Sequence, residues 1–193
     1  MNRIEALRVI DDVFSSDPLV ITCGATAREL ASFSRRETHL PLLDSMGLTS
    51  AVGLGVALGL AGPVGVIDGD GSLLMGFSIL ATLASYAPPN LTVVLLDNGQ
   101  HASADLMPSQ AANLDLAGAA RGLGINVVSS SEPDDLRTVV EAARTSDVFT
   151  FVAVRIDPGN TAGVALLLDD PAVLAGDFKR STRALVASPC GRT

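Results

Sequence analysis

The stretch VIDGDGS, residues 66–72, places two aspartates among glycines directly after an apolar run. Asp and Gly both form strands and helices poorly, so an apolar strand beginning near residue 64 is expected to end here. A helical pattern follows over residues 73–86, which makes the stretch a strand-to-helix loop. In α/β proteins, ligands bind in such loops at the carboxyl edge of the sheet. The stretch therefore predicts both a fold class and the position of a site.

Apolar runs and helical patterns alternate along the chain. Strands are predicted over residues 19–22, 64–68, 91–96, 125–128 and 149–156, and helices over residues 25–33, 45–60, 73–86, 114–122, 133–145 and near 177–186. An N-terminal helix would place Ile4, Leu7, Ile10 and Phe14 on one face. Because the strands are apolar on both faces, we predict an α/β fold, a three-layer sandwich with a mainly parallel sheet. The domain is expected to span residues 1–158, with a C-terminal extension over 159–193 packed on it.

The composition excludes several classes of function. The net charge is −8 with no basic stripe, which argues against a nucleic-acid surface. The single lysine, Lys179, lies near the C-terminus, so the P-loop lysine and the kinase strand lysine are absent. Cys23 and Cys190 belong to no C-x-x-C pair and are expected to be free thiols in a reducing compartment. A cytoplasmic location is predicted.

Residues 48–67 form a charge-free segment of twenty residues, long enough to cross a bilayer. The segment contains five glycines and Pro63, and Gly62-Pro63 divides it into a helix-length and a strand-length piece. A buried helix followed by a buried strand explains it better than a membrane span. The glycines at 53, 55 and 59 do not match a dinucleotide fingerprint, because the third is one residue late and no strand precedes them. They are expected to let the helix pack closely.

Two polar loops are expected to meet at one edge of the sheet. One contains Gly69, Asp70 and Gly71, and the other begins at Asn98 after the next strand. Twenty-six residues separate Gly71 from Asn98, which accommodates one helix and one strand. A carboxylate would repel a bare phosphate, but Mg²⁺ between them removes the conflict, because it takes hard oxygen ligands from one or two protein groups and from phosphate. The spacing therefore predicts a site for Mg²⁺ and a phosphorylated ligand.

The pattern Gly69-Asp70-Gly71, twenty-six residues and Asn98 resembles the diphosphate-binding motif of thiamin diphosphate enzymes. The segment DSMGLTSAVGLGVALG, residues 44–59, is similar to the G-x-M-G segment and following helix of that family. From RIEALRVI to VRIDPG, about four fifths of the chain, the sequence resembles the diphosphate-binding (PP) half of the sulfopyruvate and phosphonopyruvate decarboxylase group. This resemblance implies the thiamin diphosphate-binding fold, with thiamin diphosphate and Mg²⁺ as cofactors.

The resemblance also implies roles for individual residues. The side chains of Asp70 and Asn98, with the main-chain carbonyl of Gln100, would bind Mg²⁺. The N–H groups of Gly71 and Ser72, next to Gly69, would contact the diphosphate. Met46, beside Ser45, would support the bent cofactor, and the carbonyl of Asp44 would accept a hydrogen bond from the aminopyrimidine. Apart from the resemblance, His101 is the only histidine near the predicted edge of the sheet, and it is predicted to contact the cofactor and to transfer a proton as the catalytic residue.

The same resemblance predicts a partner and a reaction. Enzymes of this class need a glutamate from a pyrimidine-binding domain, and the five glutamates here lie in no matching context. The chain is therefore expected to be one subunit of a split lyase that decarboxylates a small 2-oxo acid, in a hetero-oligomer with two copies of each subunit or a multiple. Carboligation by the same chemistry and a non-catalytic scaffold are the alternatives. Asp44 stands where many relatives have glycine, and the loop ADLMPSQ differs from the Gly-Gly-Gln-Pro-Thr type, so the oxo acid is left open.

Simpler roles were weighed for the same residues. Asp70 could cap the helix that follows it. Asn98-Gly99 is a common turn dipeptide. Met46 could fill the core, and His101 could bond a loop carbonyl. His39 is expected in a surface loop, and Arg35 and Arg36 in solvent.

Overall fold

The computed structural model describes residues 1–102 and 105–186. The helices are α1 (Arg3–Val13), α2 (Ala25–Ala31), α3 (Thr49–Gly59), α4 (Asp70–Met75), α5 (Ile79–Tyr86), α6 (Leu116–Gly122), α7 (Pro133–Thr145) and α8 (Pro171–Ser181). The strands are β1 (Leu19–Ile21), β2 (His39–Pro41), β3 (Val64–Gly69), β4 (Leu91–Asp97), β5 (Gln100–His101), β6 (Met107–Pro108), β7 (Asn126–Ser130) and β8 (Thr150–Arg155). Short 3₁₀ turns cover Gln110–Asn113 and Arg183–Leu185.

Six strands form one parallel sheet in the order β2-β1-β3-β4-β8-β7. Helices α1, α2 and α7 cover one face, where Leu7, Ile10 and Phe14 of α1 join a fully buried cluster. Helices α3 to α6 cover the other face. The predicted three-layer α/β sandwich is therefore confirmed, and the strands alternate their apolar side chains between two cores because both faces of the sheet are covered.

Several element boundaries differ from the predictions. The helix predicted over residues 73–86 begins at Asp70 and is divided into α4 and α5 around Gly76. A Cβ on Gly76 would lie 2.0 Å from the carbonyl oxygen of Gly47, so a close backbone approach accompanies this break. Helix α3 begins at Thr49 rather than at residue 45, because residues 46–47 form a turn. The C-terminal helix α8 begins at Pro171, six residues earlier than predicted.

The stretch SEPDD, residues 131–135, favours a cap on α7 formed by Ser131 and Asp134. This cap is not formed: in the described chain the N-cap is Glu132, with no side-chain capping bond, and Pro133 opens the helix. Proline suits this position because its fixed φ is already helical and its missing N–H would have had no intrahelical partner.

The placement of His39 is also corrected. It lies buried on β2, a strand that the sequence pattern missed, with Nε2 3.0 Å from Oδ1 of Asp11. Arg36 forms an ion pair with the same aspartate at 2.8 Å, and Arg35 pairs with Asp169. His39 is therefore buried and Arg36 is half-buried against Asp11, whereas the Arg35 side chain is 61% exposed, so the prediction that it lies in solvent is confirmed.

The charge-free segment at 48–67 divides as predicted into α3 and β3. Within the described residues, none of the helices has the length and apolar character needed to cross a membrane. A Cβ on Gly53 would lie 2.1 Å from Cγ2 of Val66, which confirms close packing of α3 on β3 at that glycine. At Gly55 and Gly59 the described structure leaves open space, so the small-residue argument applies to Gly53 alone.

Candidate functional site

The two polar loops meet where β3 and β4 end. Parallel pairing sets Asp68 opposite Leu95 and Gly69 opposite Leu96, so Asp70 and Asn98 follow neighbouring strand ends. They share a cavity of about 320 Å³. Of the residues predicted for the site, the cavity is lined by Met46, Gly69, Asp70, Gly71, Ser72, Asn98, Gln100 and His101. The tertiary structure therefore brings most of the predicted set to one place.

Asp70 is a buried carboxylate at the start of α4, with only 2% of its surface exposed. Burial raises the pKa of its carboxyl group above the usual range, the Ser109 hydroxyl lowers it in part, and the nearby Asp97 raises it. The N-cap of α4 is Gly69, and Asp70 lies inside the helix, so the proposed capping role is wrong. A carboxylate held out of water in this way is stabilised by a positive charge beside it or by a proton.

Asn98 is buried in the same cavity. Its Oδ1 accepts the N–H of Gln100 at 3.1 Å, so the Asn98-Gly99 turn exists. Its Nδ2 has no hydrogen-bond partner within the residues that the structure describes. A buried amide donor without a partner destabilises a protein unless a ligand satisfies it. The turn is therefore only part of what this side chain can do.

The donor set fits Mg²⁺. An Asp70 carboxylate, an Asn98 amide oxygen and a main-chain carbonyl at Gln100 are hard oxygen ligands of the kind that this ion prefers. Among the described residues there is no cluster of three His, Cys, Asp or Glu side chains, so oxygens of the phosphate ligand and water would have to supply the other ligands of the ion. The unsatisfied Nδ2 of Asn98 would suit an oxygen of a phosphate beside the ion.

His101 lies on β5 against Gly71. A Cβ on Gly71 would be 2.5 Å from Nδ1 and 2.6 Å from Cε1 of the imidazole, so only glycine allows this approach. No hydrogen bond from the ring to a carbonyl occurs in the part of the chain that is described. Strands β5 and β6 pair as a short antiparallel ribbon that presents this loop at the cavity, and residues 103–104 between them lie outside the described residues.

Met46 lies in the turn before α3 rather than in a helix, and its side chain is 36% exposed. The core-filling role is therefore wrong. The Ser72 hydroxyl accepts the N–H of Gly47 at 3.1 Å and so fixes the turn against α4. The contact couples the turn that carries Met46 to the loop that carries Asp70.

Asp44 and Ser45 lie apart from the main cavity. Asp44 lines an adjoining cavity of about 780 Å³, and the Ser45 hydroxyl donates to the Leu43 carbonyl at 2.9 Å. Asp44 has φ +52°, a left-handed conformation that glycine adopts most easily. This left-handed conformation explains why glycine would suit the position that Asp44 occupies here.

Several residues that shape the site are not among those predicted from the sequence. Asp68 is fully buried, accepts hydrogen bonds from the Ser50 hydroxyl at 2.7 Å and from the Gly69 N–H at 2.9 Å, and has its pKa raised by burial. Ser109 donates a hydrogen bond to Asp70. The pair of aspartates in VIDGDGS could have indicated Asp68. No local pattern identifies Ser109, which lies 39 residues from Asp70 in the sequence.

Five more residues that line the cavity come from the N-terminal part of the chain: Arg3, Thr22, Cys23, Ala25 and Thr26. Burial raises the pKa of the half-buried Cys23 thiol. Cys190, the second predicted free thiol, lies outside the described residues.

Comparison with known proteins identifies the family of this site. Residues 22–154 match the family described as "Thiamine pyrophosphate enzyme, C-terminal TPP binding domain". Phosphonopyruvate decarboxylase of Streptomyces viridochromogenes is 36% identical over 97% of this chain and 47% of its own length. Sulfopyruvate decarboxylase subunit beta of Methanothermobacter thermautotrophicus is 37% identical over 88% of this chain and 89% of its own.

Among solved structures, the thiamine diphosphate-dependent 4-hydroxybenzoylformate decarboxylase of Rhodococcus jostii RHA1 matches with a TM-score of 0.67 at 18% identity. The match covers 83% of this chain and 33% of that one, and it shows a common fold. The chain spans about half the length of the phosphonopyruvate decarboxylases that it matches.

Proposed function

Because the chain belongs to the thiamine pyrophosphate enzymes, whose C-terminal TPP-binding domain it matches, we propose that it is the PP-domain subunit of a thiamin diphosphate- and Mg²⁺-dependent 2-oxo acid decarboxylase. The main observation in support of the proposal is that Asp70 and Asn98 line the same cavity. The buried side-chain amide of Asn98 has no hydrogen-bond partner in the described structure. The names of the relatives suggest a 2-oxo acid with a second acidic group, such as sulfopyruvate or phosphonopyruvate.

The chain's own residues would bind the cofactor and move one proton. Asp70, Asn98 and the carbonyl of Gln100 would hold Mg²⁺, and Gly71 and Ser72 would hold the diphosphate. Thiamin diphosphate supplies the electron sink that stabilises the carbanion left by loss of CO₂ from a 2-oxo acid. Release of an aldehyde consumes one proton, and His101 is the cavity's only imidazole in the described lining and the group placed to deliver it.

We propose that a pyrimidine-binding subunit covers the cavity and provides the catalytic glutamate. Between residues 45 and 96 the only charged residues are Asp68 and Asp70, and both are buried. The exposed surface of α3 and α5 is therefore uncharged and includes Leu48, Leu58 and Tyr86. Met46 and Met75, which line the cavity, are also exposed. An apolar surface beside a site suits a protein partner.

The chain's buried glutamate does not lie in the described lining of the cavity. Oε1 of Glu29 accepts hydrogen bonds from Arg3 and from the N–H of Thr161, both at 2.9 Å, and Oε2 has no partner among the described residues. This supports a partner as the source of the catalytic glutamate. Three expectations stay predictions. They are an oligomer with two copies of each subunit or a multiple, a cytoplasmic location, and a domain boundary near residue 158.

The proposal is tested by titrating thiamin diphosphate into the chain purified together with its pyrimidine-domain subunit, with and without Mg²⁺. We expect binding to require the metal and to be lost in Asp70→Ala. The matched control is Asp134→Asn, which removes an exposed carboxylate from the first turn of α7 and should bind normally. If thiamin diphosphate binds equally well without Mg²⁺ and to the Asp70→Ala variant, the assignment is refuted.

Turnover separates an enzyme from a scaffold. With 2-oxo acids as substrates, we expect Asp70→Ala to abolish aldehyde formation and His101→Ala to slow it by about 10²-fold, the usual size of a general acid's contribution. Cofactor binding by His101→Ala should persist. If the wild-type complex forms aldehyde and both substitutions leave its rate unchanged, the catalytic roles are contradicted.

A further inference from the structure

Arg3 lies at the floor of the candidate cavity, although it is the first residue of α1 and distant in sequence from both motifs. Its side chain is 5% exposed and forms an ion pair with Glu29, 2% exposed, at 2.9 Å. Removing two charges from water is unfavourable, and apolar residues of similar size often stabilise a protein as well as such a pair. A contribution to the site, rather than to stability, therefore accounts better for the pair.

The guanidinium of Arg3 organises a segment that touches the metal-binding loop. It donates to the carbonyl of Gly159 and to Oδ1 of Asn160, both at 3.1 Å. From that segment, the N–H of Gly159 donates to Oε1 of Gln100 at 3.1 Å, and Nδ2 of Asn160 donates to the carbonyl of Ala102 at 2.8 Å. Two hydrogen bonds thus reach the loop on either side of His101.

The other side of the loop is held weakly. The ribbon of β5 and β6 pairs only two residues on each strand, and Met107 and Pro108 of its outer strand are exposed. One further main-chain bond joins Ser109 to the Gly99 carbonyl at 2.9 Å. The position of the loop therefore depends substantially on the contacts from Gly159 and Asn160.

The family match runs from residue 22 to residue 154, so Arg3, Gly159 and Asn160 all lie beyond it. We propose that Arg3 and Asn160 are positioning residues that act through Ala102 and Gln100 to set the loop of Asn98, Gln100 and His101 for metal and diphosphate. The inference rests on the proposed function, because it concerns the same site.

The test uses Asn160→Asp, an exposed position at which the chain should still fold. The aspartate keeps an oxygen for Arg3 but replaces the donor to Ala102 with a carboxylate that repels the carbonyl. The control is Asn126→Ala, which deletes a comparable side-chain amide bond to Thr150, 3.0 Å long, far from the cavity. Arg3→Lys is the second variant, because it keeps a positive charge beside Glu29 but loses the two-pronged contact with Gly159 and Asn160.

Two measurements are made on each protein. Hydrogen exchange of the chain without ligand reports on the amides of Gly99, Gln100 and Ala102, and thiamin diphosphate binding by the chain with its partner subunit gives the Mg²⁺ concentration for half-saturation. We expect Asn160→Asp and Arg3→Lys to accelerate exchange at these amides and to raise that Mg²⁺ concentration by about tenfold, the usual effect of losing a group that orients a metal ligand. The control should match the wild type.

The outcomes separate the two hypotheses. If the wild type binds in an Asp70-dependent manner while both variants keep wild-type exchange and metal requirement, the positioning role is wrong and the proposed function stands. If the wild-type complex does not bind thiamin diphosphate at all, the proposed function fails and the positioning role fails with it.

Discussion

Asp70 combines burial with charge, and this arrangement favours ligand binding over the stability of the free protein. Burial raises the pKa of its carboxyl group, so ionisation at neutral pH opposes folding. Asp68, two residues earlier, is buried in the same way and accepts hydrogen bonds from the Ser50 hydroxyl and the Gly69 N–H, as Asp70 does from the Ser109 hydroxyl. The two aspartates differ in position: Asp70 lies in the described lining of the cavity and Asp68 does not, so Asp68 shapes the loop.

We expect Asp70→Asn to stabilise the ligand-free chain at pH 7 by about 1 kcal/mol, as neutralising a strained functional group often does. A raised folded-state pKa means that the carboxyl group favours folding below its unfolded value of 3.8 and opposes it as the pH rises. The advantage of the variant should therefore shrink as the pH falls toward 4. Urea unfolding at several pH values, with Asp134→Asn as the control, measures it; a variant less stable than the wild type at pH 7 would contradict the argument.

Helix α3 shows how an element positions the site without contributing a charged group. Gly53 allows the helix to lie directly on Val66 of β3, and Ser50 from the same helix reaches Asp68. The turn before the helix carries Met46 and is held by Ser72. The depth at which α3 packs on the sheet therefore sets the position of Met46 relative to the loop of Asp70.

We expect Gly53→Ala to destabilise the chain by about 1 to 3 kcal/mol, because the new Cβ overlaps Cγ2 of Val66 in a packed core. Gly55→Ala in the same helix is the matched control, since open space surrounds that position in the described structure. It should stabilise the chain by about 0.5 to 1 kcal/mol through helix propensity. Thermal or urea unfolding measures both, and equal effects of the two substitutions would show that α3 does not pack as described.

Distant segments of the molecule are joined by a second buried polar cluster away from the site. Asp11 of α1 contacts Arg36 at 2.8 Å and His39 at 3.0 Å, and Ser34 donates to it. Burial alone would raise the pKa of the Asp11 carboxyl group, but the neighbouring His39, Arg36 and Ser34 together hold it well below its usual range. The cluster ties the N-terminal helix to the edge strand β2.

This cluster predicts a dependence of stability on acid. A lowered folded-state pKa means that Asp11 stabilises the fold above its unfolded value of 3.8 and that this contribution is lost as the pH falls below it. We expect Asp11→Asn to be less stable than the wild type at pH 7 by about 1 to 3 kcal/mol, the range for hydrogen bonds to charged groups. The difference should narrow below pH 4. A constant difference from pH 7 to pH 3, measured by urea unfolding, would count against it.

Local sequence patterns were sufficient to predict the elements that repeat along the chain or lie within one continuous stretch of it. The alternation of apolar runs with helical periods predicted five of the six strands of the main sheet, and α7 was predicted at the residues where it occurs. The spacing of Gly71 and Asn98 placed two loops side by side, because parallel strands joined by one helix end at the same edge. Strand β2 was missed because three residues, one of them a buried histidine, carry too little periodicity to be recognised.

Only the tertiary structure decided which distant groups complete the site. Ser109 reaches Asp70, and Arg3 meets Asn160, which contacts Ala102 next to His101, although the two come from opposite ends of the described chain. Their partners are chosen by the packing of whole elements, and no short-range pattern in the chain records such a contact. The sequence by itself therefore determined the fold class and the ligand-binding edge, whereas the supports around that edge depend on three-dimensional packing.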